Sequence, residues 1–185
     1  CCLLMGGVLT PVAMSSSPRD PAFGPKNHPN PLCRVVLIEP LIPENTGNVS
    51  RTCVATGTEL HLVEPMGFEI TEARVKRAGL DYWGDLAWKK HGGFAEWATT
   101  VADSSRVFLV ETTGKDSIYD VDFRRGDWLV FGKETSGLDQ GMLRHDALPN
   151  ARVVHIPMPG TTRSLNLSNA VAVAVFELLR QTLKA

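Results

Sequence analysis

Five short apolar runs constrain this chain more than any other feature: residues 34–39 (RVVLIE), 60–64 (LHLVE), 106–111 (RVFLVE), 127–132 (DWLVFG) and 153–156 (VVHI). Each is rich in Val, Leu, Ile or Phe and too short for an ordinary helix. Their apolar residues are nearly continuous rather than alternating. That pattern marks strands covered on both faces, the habit of parallel sheets. A weaker run at 86–91 reads as a further strand.

Helical signals lie between the runs. Asn45-Thr46-Gly47-Asn48 supplies a cap, after which Val49, Cys53 and Val54 recur at helical spacing up to Gly57, a stop. Residues 72–78 (EARVKRA) are helix-prone, 79–84 read as a loop, 94–102 as a helix and 139–144 as a short helix. Residues 165–183 are too long for a strand despite their Val-Ala alternation. They are apolar nearly all round between Ala170 and Leu179, so both faces of that helix should be covered, one by the sheet and one by a partner subunit. Strands alternating with helices give an α/β domain with a largely parallel sheet. In such sheets ligands bind beyond the carboxyl ends of the strands. Small or polar loops follow Val110, Phe131 and Ile156, and the third runs into the polar start of the long helix, a natural mouth for a small polar ligand.

Composition narrows the classes. The net charge of −1 excludes a strongly basic nucleic-acid binder, so any RNA contact needs a local patch. Cys1, Cys2, Cys33 and Cys53 form no C-x-x-C pair and no zinc spacing, which argues against a metal or disulfide framework and for a reducing, cytoplasmic setting. No run is long enough to span a membrane. Residues 1–33 differ from the rest. An apolar start without a basic n-region is a weak signal-peptide lookalike, and five of the chain's twelve prolines follow. They are read as a flexible tail, or as sequence upstream of a start at Met5 or Met14, ahead of a catalytic domain at 34–185. There is no G-x-G-x-x-G and no P-loop, which disfavours a nicotinamide-dependent oxidoreductase.

Three motifs stand out together: Pro43-Glu44-Asn45-Thr46-Gly47-Asn48-Val49-Ser50-Arg51; Phe131-Gly132-Lys133-Glu134-Thr135-Ser136-Gly137-Leu138; and Ile156-Pro157-Met158 with Arg163-Ser164-Leu165-Asn166-Leu167-Ser168-Asn169. With Glu64-Pro65-Met66-Gly67-Phe68 and Arg77-Ala78-Gly79-Leu80-Asp81-Tyr82, their order resembles the SPOUT superfamily of RNA methyltransferases. Within it the set looks most like the small ribose 2′-O-methyltransferases of the wobble nucleotide, cytidine or uridine, in bacterial tRNA anticodons. The resemblance covers about residues 34–183.

That resemblance implies a deep C-terminal trefoil knot, a homodimer, S-adenosyl-L-methionine as methyl donor with S-adenosyl-L-homocysteine as product, and the tRNA anticodon stem-loop as partner. It places cofactor contacts at Val110, Gly132, Ile156 and Ser164. The relatives carry a basic residue before the glycine where Thr113 stands, which leaves Glu111 and Thr112 as alternatives to Val110. At Gly132 the absence of a side chain would let a ligand approach the backbone. The motif arginine falls at Arg51. Its guanidinium stays protonated, which suits fixing a phosphate or polarising the hydroxyl rather than general-base work. Glu134 and Asn166 are further catalytic candidates, orienting the substrate or the loop, and Asn45 would shape the turn presenting Arg51. Another RNA, such as ribosomal RNA, is the alternative substrate; a non-catalytic knotted RNA-binding protein is the alternative of another class.

Taken singly, these residues have plainer readings. Arg51 would be a solvated helix charge, Glu134 a loop carboxylate, and Asn45, Ser164 and Asn166 helix caps. Cys53 reads as core, and Trp83, Trp88, Trp97 and Trp128 as packing, with Tyr82 and Trp83 the best placed aromatics to stack a base. Arg74, Lys76, Arg77, Lys89, Lys90, Arg124 and Arg125 could form a phosphate-tracking patch.

Overall fold

The computed structural model describes residues 28–71, 81–103, 105–144 and 146–183. The helix expected at 72–78, with Arg74, Lys76 and Arg77, and residues 1–27 lie outside the described residues. Seven strands form one sheet: β1 Arg34–Ile38, β2 Glu59–Val63, β3 Trp88–His91, β4 Val107–Val110, β5 Asp116–Ser117, β6 Trp128–Phe131 and β7 Arg152–His155. Their order is β3-β2-β1-β6-β4-β7-β5, and every pairing is parallel. The six strands expected from sequence are all present. β5 is the addition; two polar residues carry no apolar signature, and only pairing with β7 defines it.

The near-continuous apolar runs follow from burial on both sides. On β1, Val35 and Leu37 join one core cluster while Val36 and Ile38 join the other. The first core lies under α1 (Pro43–Thr56) and α3 (Leu167–Thr182), which also pack on each other. The second lies under α2 (Phe94–Thr99), through Trp97 and Ala98. Leu32 and Cys33, on the tail side of the boundary read at residue 34, are buried in the first core, so the folded unit takes them in. Cys53 is fully buried on α1, and burial pushes its thiol well above the ordinary value; it is core, as read.

Several boundaries move. α2 stops at Thr99, three residues before the expected end, and 139–144 holds only a 3-10 turn at Met142–Arg144. α1 starts at Pro43, not behind an Asn45 cap; Ile42 is its N-cap residue and offers no side-chain bond. Its other end is as read: Gly57 takes the left-handed conformation (φ 66°), and its N–H reaches back to Cys53 and Val54 carbonyls. The apolar α3 buries Val171, Ala174, Val175 and Leu178, but Phe176 stays 53% exposed, because the sheet and α1 cover only one side.

At the β2–β3 edge two histidines stack. His61 Nδ1 and His91 Nε2 lie 2.9 Å apart with the rings 7° from parallel, and Trp128 meets His61 edge-on. Burial first, then the neighbouring His91, Lys89 and Arg34, lower His61 from 6.5 to about 3. Burial also lowers His91. The folded protein thus binds fewer protons here than the unfolded chain between about pH 6.5 and 3, and stability falls as pH drops through that window. The slope from His61 alone approaches about 1.4 kcal/mol per pH unit. Urea unfolding at pH 7, 6, 5 and 4 should show a shallower acid limb for His61→Gln than for the parent protein; identical limbs would remove His61 as the cause.

Candidate active site

The carboxyl ends of β4, β6 and β7 open into one cleft of about 340 Å³. Val110, Glu111 and Thr112 line it from β4, Phe131 to Gly137 from β6, and Ile156, Met158, Arg163, Ser164 and Leu165 from the segment after β7, with Leu167 and Ala170 of α3 at the base. Parallel strands end on one side of the sheet, so three loops far apart in sequence meet there. The four positions expected to touch a cofactor, Val110, Gly132, Ile156 and Ser164, all share this cleft. So do Glu111 and Thr112, the alternatives to Val110.

The β6 loop closes on itself. Lys133 and Gly137 exchange backbone hydrogen bonds of 3.2 and 2.9 Å. A Cβ on Gly132 would overlap the Gly137 carbonyl, so that glycine is required by the closure of its own loop, beyond any approach of a ligand. Gly137 sits at φ 70° against the Glu111 carboxylate, which accepts the N–H of Leu138. Glu111 therefore ties the β4 end to the β6 loop. Sequence named it only as a register alternative, since a carboxylate one residue past a strand carries no signal of its target.

Glu134 stands at the centre of a second set of bonds. Its Oε2 accepts the Leu41 N–H at 2.9 Å, and its Oε1 accepts the Ile42 N–H at 3.2 Å and the Asn45 side-chain amide at 3.0 Å. Asn45 Oδ1 in turn accepts from Asn166 Nδ2 at 2.9 Å, and Asn166 Oδ1 accepts from the N–H and hydroxyl of Ser168. Burial works against the charged carboxylate, but the bonds from Asn45, Leu41 and Ile42 outweigh it and hold Glu134 below the usual carboxyl value. The charged form of Glu134 is thus favoured, with three donors on its two oxygens. Asn166 is both the α3 N-cap and a link in the chain, so its cap reading and its site reading are compatible. Asn45 faces Glu134 and Asn166 from the first turn of α1 instead of capping it.

Arg51 is elsewhere. It lies exposed on α1, outside the cleft lining, with its guanidinium 4.9 Å from the centre of the Tyr82 ring. Within the cleft Lys133 pairs with Glu39 at 2.5 Å, while Arg163 is exposed and makes no ion pair or hydrogen bond among the described residues. The patch expected from sequence is mostly neutralised where it is described. Lys89 pairs with Glu59, Lys90 with Glu64 and Arg124 with Asp122, and Arg125 donates to the Asn30 carbonyl. Trp83 is buried edge-on to Trp88, which removes it as a stacking platform. No metal-binding group of three side chains occurs among the described residues, and no described helix is long and apolar enough to cross a membrane.

The family model described as the SpoU rRNA methylase family matches residues 33–176. The chain belongs to that family. A tRNA (cytidine(34)-2′-O)-methyltransferase of Burkholderia cenocepacia is 48% identical over 151 residues, 80% of this chain and 94% of the relative. A solved structure described as giving insight into the 2-OH methylation of C/U34 on tRNA is 43% identical, with a TM-score of 0.74 over 80% of this chain and 95% of the other. An AdoMet-bound rRNA methyltransferase from Sinorhizobium meliloti, 21% identical, covers 86% of this chain and 61% of its own length with a TM-score of 0.72; that likeness is one of fold. Family membership agrees with the resemblance read from the ordered motifs, and all three motifs fall within the matched span.

The arrangement makes Glu134 a structural anion whose loss should loosen the cleft. Glu134→Gln replaces one acceptor oxygen with a donor facing N–H groups, and should cost about 2 kcal/mol in urea unfolding. Asn166→Ala removes one link and one cap, costing about 1 kcal/mol. A Glu134→Gln protein as stable as the parent would contradict the bonding pattern.

Proposed function

We propose that this chain transfers a methyl group from S-adenosyl-L-methionine to the ribose 2′-hydroxyl of the wobble nucleotide, a cytidine or uridine derivative, in the tRNA anticodon loop. The observation that carries the proposal is the convergence of Val110, Gly132, Ile156 and Ser164 on one cleft. It is supported by a relative of that named activity at 48% identity. The cleft suits the cofactor. Its volume falls in the range of small-molecule sites. Val110, Phe131, Ile156, Leu165 and Ala170 offer apolar walls, and the strand ends and the closed β6 loop offer backbone polar groups. Arg163, without an ion pair among the described residues, offers a cation for a carboxylate or phosphate.

The cofactor brings a methyl group already activated on a sulfonium, so the protein's task is to align, desolvate and handle one proton. Alignment alone can supply roughly 7–11 kcal/mol. Glu134, Asn45 and Asn166 hold the β6 loop, the α1 start and the α3 start in one geometry. With three donors on its carboxylate, which hold its proton affinity low, Glu134 orients the loops. Arg51 fixes the target phosphate or polarises the hydroxyl.

The same reading includes a homodimer, a trefoil knot and a cytoplasmic location. Arg51 stands outside the cleft of its own chain, and Phe176 is left exposed on α3; a second copy would answer both. β7 lies between β4 and β5, two strands that precede it in sequence, and Gly114 of the β4–β5 connection packs on the Val154 carbonyl; this crossing supports the knot. The product would be S-adenosyl-L-homocysteine, and the substrate, tRNA, is a cytoplasmic molecule.

Purified protein should transfer labelled methyl from S-adenosyl-L-methionine to unmodified bacterial tRNA, with nucleotide mapping placing it at position 34. Methylation only of ribosomal RNA would replace the substrate, and calorimetry showing no cofactor binding would leave an RNA-binding protein. Arg51→Ala should lower kcat on the order of a hundredfold while cofactor affinity stays within about twofold.

A further inference from the structure

We propose that Tyr82 is a positioning residue for Arg51, holding the guanidinium by its ring face, with no carboxylate on that guanidinium among the described residues. The inference rests on the assignment of Arg51 to the reaction. Tyr82 belongs to the 3-10 turn Asp81–Asp85, which packs on α1. Its hydroxyl donates to the Gly47 carbonyl at 2.8 Å, and its ring lies under Arg51, with Cζ 4.9 Å from the ring centre. Gly47 and Arg51 are four residues apart, so they occupy the same face of α1 one turn from each other. One side chain therefore grips the helix at one turn and the cation at the next. The Gly47 carbonyl also accepts from Ser50 Oγ at 2.7 Å, which fixes that anchor point further.

Arg34, Arg106 and Arg152 also lie over rings, 5.1 Å from Trp128 and 5.5 and 5.9 Å from Phe108, but each also pairs with a carboxylate, whereas Arg51 has a ring and, among the described residues, no carboxylate. Arg34 pairs with Glu59, Arg106 with Asp127, Arg124 with Asp122, Arg152 with Asp116 and Arg180 with Glu177. A carboxylate partner uses guanidinium donors and cancels the charge. A ring face uses neither, because the attraction runs from the π cloud to the flat face of the cation. An exposed arginine without any partner would spread over many rotamers; the Tyr82 ring reduces that range through the flat face of the guanidinium, a contact that uses none of its N–H donors. This is the arrangement a group needs if it is to meet a phosphate or hydroxyl arriving from outside its own cleft.

The test compares Tyr82→Phe, which keeps the ring, with Tyr82→Leu, which keeps only bulk, each with Arg51 and with Arg51→Lys. Single-turnover methyl transfer to tRNA is read beside calorimetric cofactor affinity and the ring-current shift of the Arg51 δ-protons by NMR. Tyr82→Leu should slow transfer about tenfold, leave cofactor affinity unchanged, and abolish the upfield shift. Tyr82→Phe should stay within about twofold and keep the shift. With Arg51→Lys already present, Tyr82→Leu should add little, since the two act as a unit. Equal losses from Tyr82→Leu in both backgrounds, or full transfer by a folded Tyr82→Leu protein, would overturn the proposal. Should Tyr82→Leu not fold, the δ-proton shift of the parent protein decides, and its absence would overturn the proposal too. An active Arg51→Ala protein would instead defeat the role of Arg51 itself, a separate outcome.

Discussion

One carboxylate holds the working end of this molecule together. Glu134 collects N–H donors from Leu41, Ile42 and Asn45, whose nearest member in sequence is 89 residues away. Through Asn45 it reaches Asn166, a further 121 residues along from Asn45. Ionised acceptors make hydrogen bonds roughly twice as strong as neutral ones, and the N-terminal turn of α1 adds a favourable dipole. Removing the charge leaves three donors facing each other's place, so the arrangement is cooperative: each member is oriented by the others. The cleft beside it inherits that rigidity without any of the three side chains having to touch a ligand.

The sheet could be read directly from the chain because its strands are buried on both faces. Val35, Val36, Leu37 and Ile38 are all essentially inaccessible, and nothing but a covered strand accounts for such a run in five residues. What escaped the reading is what non-local contacts decide. β5 exists because β7 offers an edge to Asp116 and Ser117. The start of α1 is held by a residue from the β6 loop, so Asn45, a cap by local signal alone, bonds to Glu134 instead. Glu111 has an ordinary sequence context and an indispensable partner, the Leu138 N–H. Gly132 was expected for ligand approach, yet its own loop already forbids a side chain. The cleft positions were reached only through the ordered motifs, since Val110 and Ile156 present backbone and have no distinguishing chemistry of their own.

Charge is distributed with the same economy. Most described arginines and lysines answer a carboxylate, which fits a net charge near zero and keeps the general surface unattractive to RNA. Arg163 in the cleft and Arg51 on α1 are exceptions, and they lie on different parts of the fold. Among the described residues, Arg163 and Arg51 would thus offer a polyanion separate points of attraction, as would other unpaired cations such as Lys115 and Arg144.

The placement of β7 between β4 and β5 has a consequence for how the protein comes into being. The strand that completes the cleft wall is the last to be made, and its slot is bounded on both sides by earlier chain. Contacts so distant in sequence make for slow folding. During synthesis, at about 5–20 residues per second, a nascent chain holding everything up to β6 would still carry an open groove. Until residues 152–155 have emerged and paired with β4 and β5, the cleft would lack the wall that follows β7.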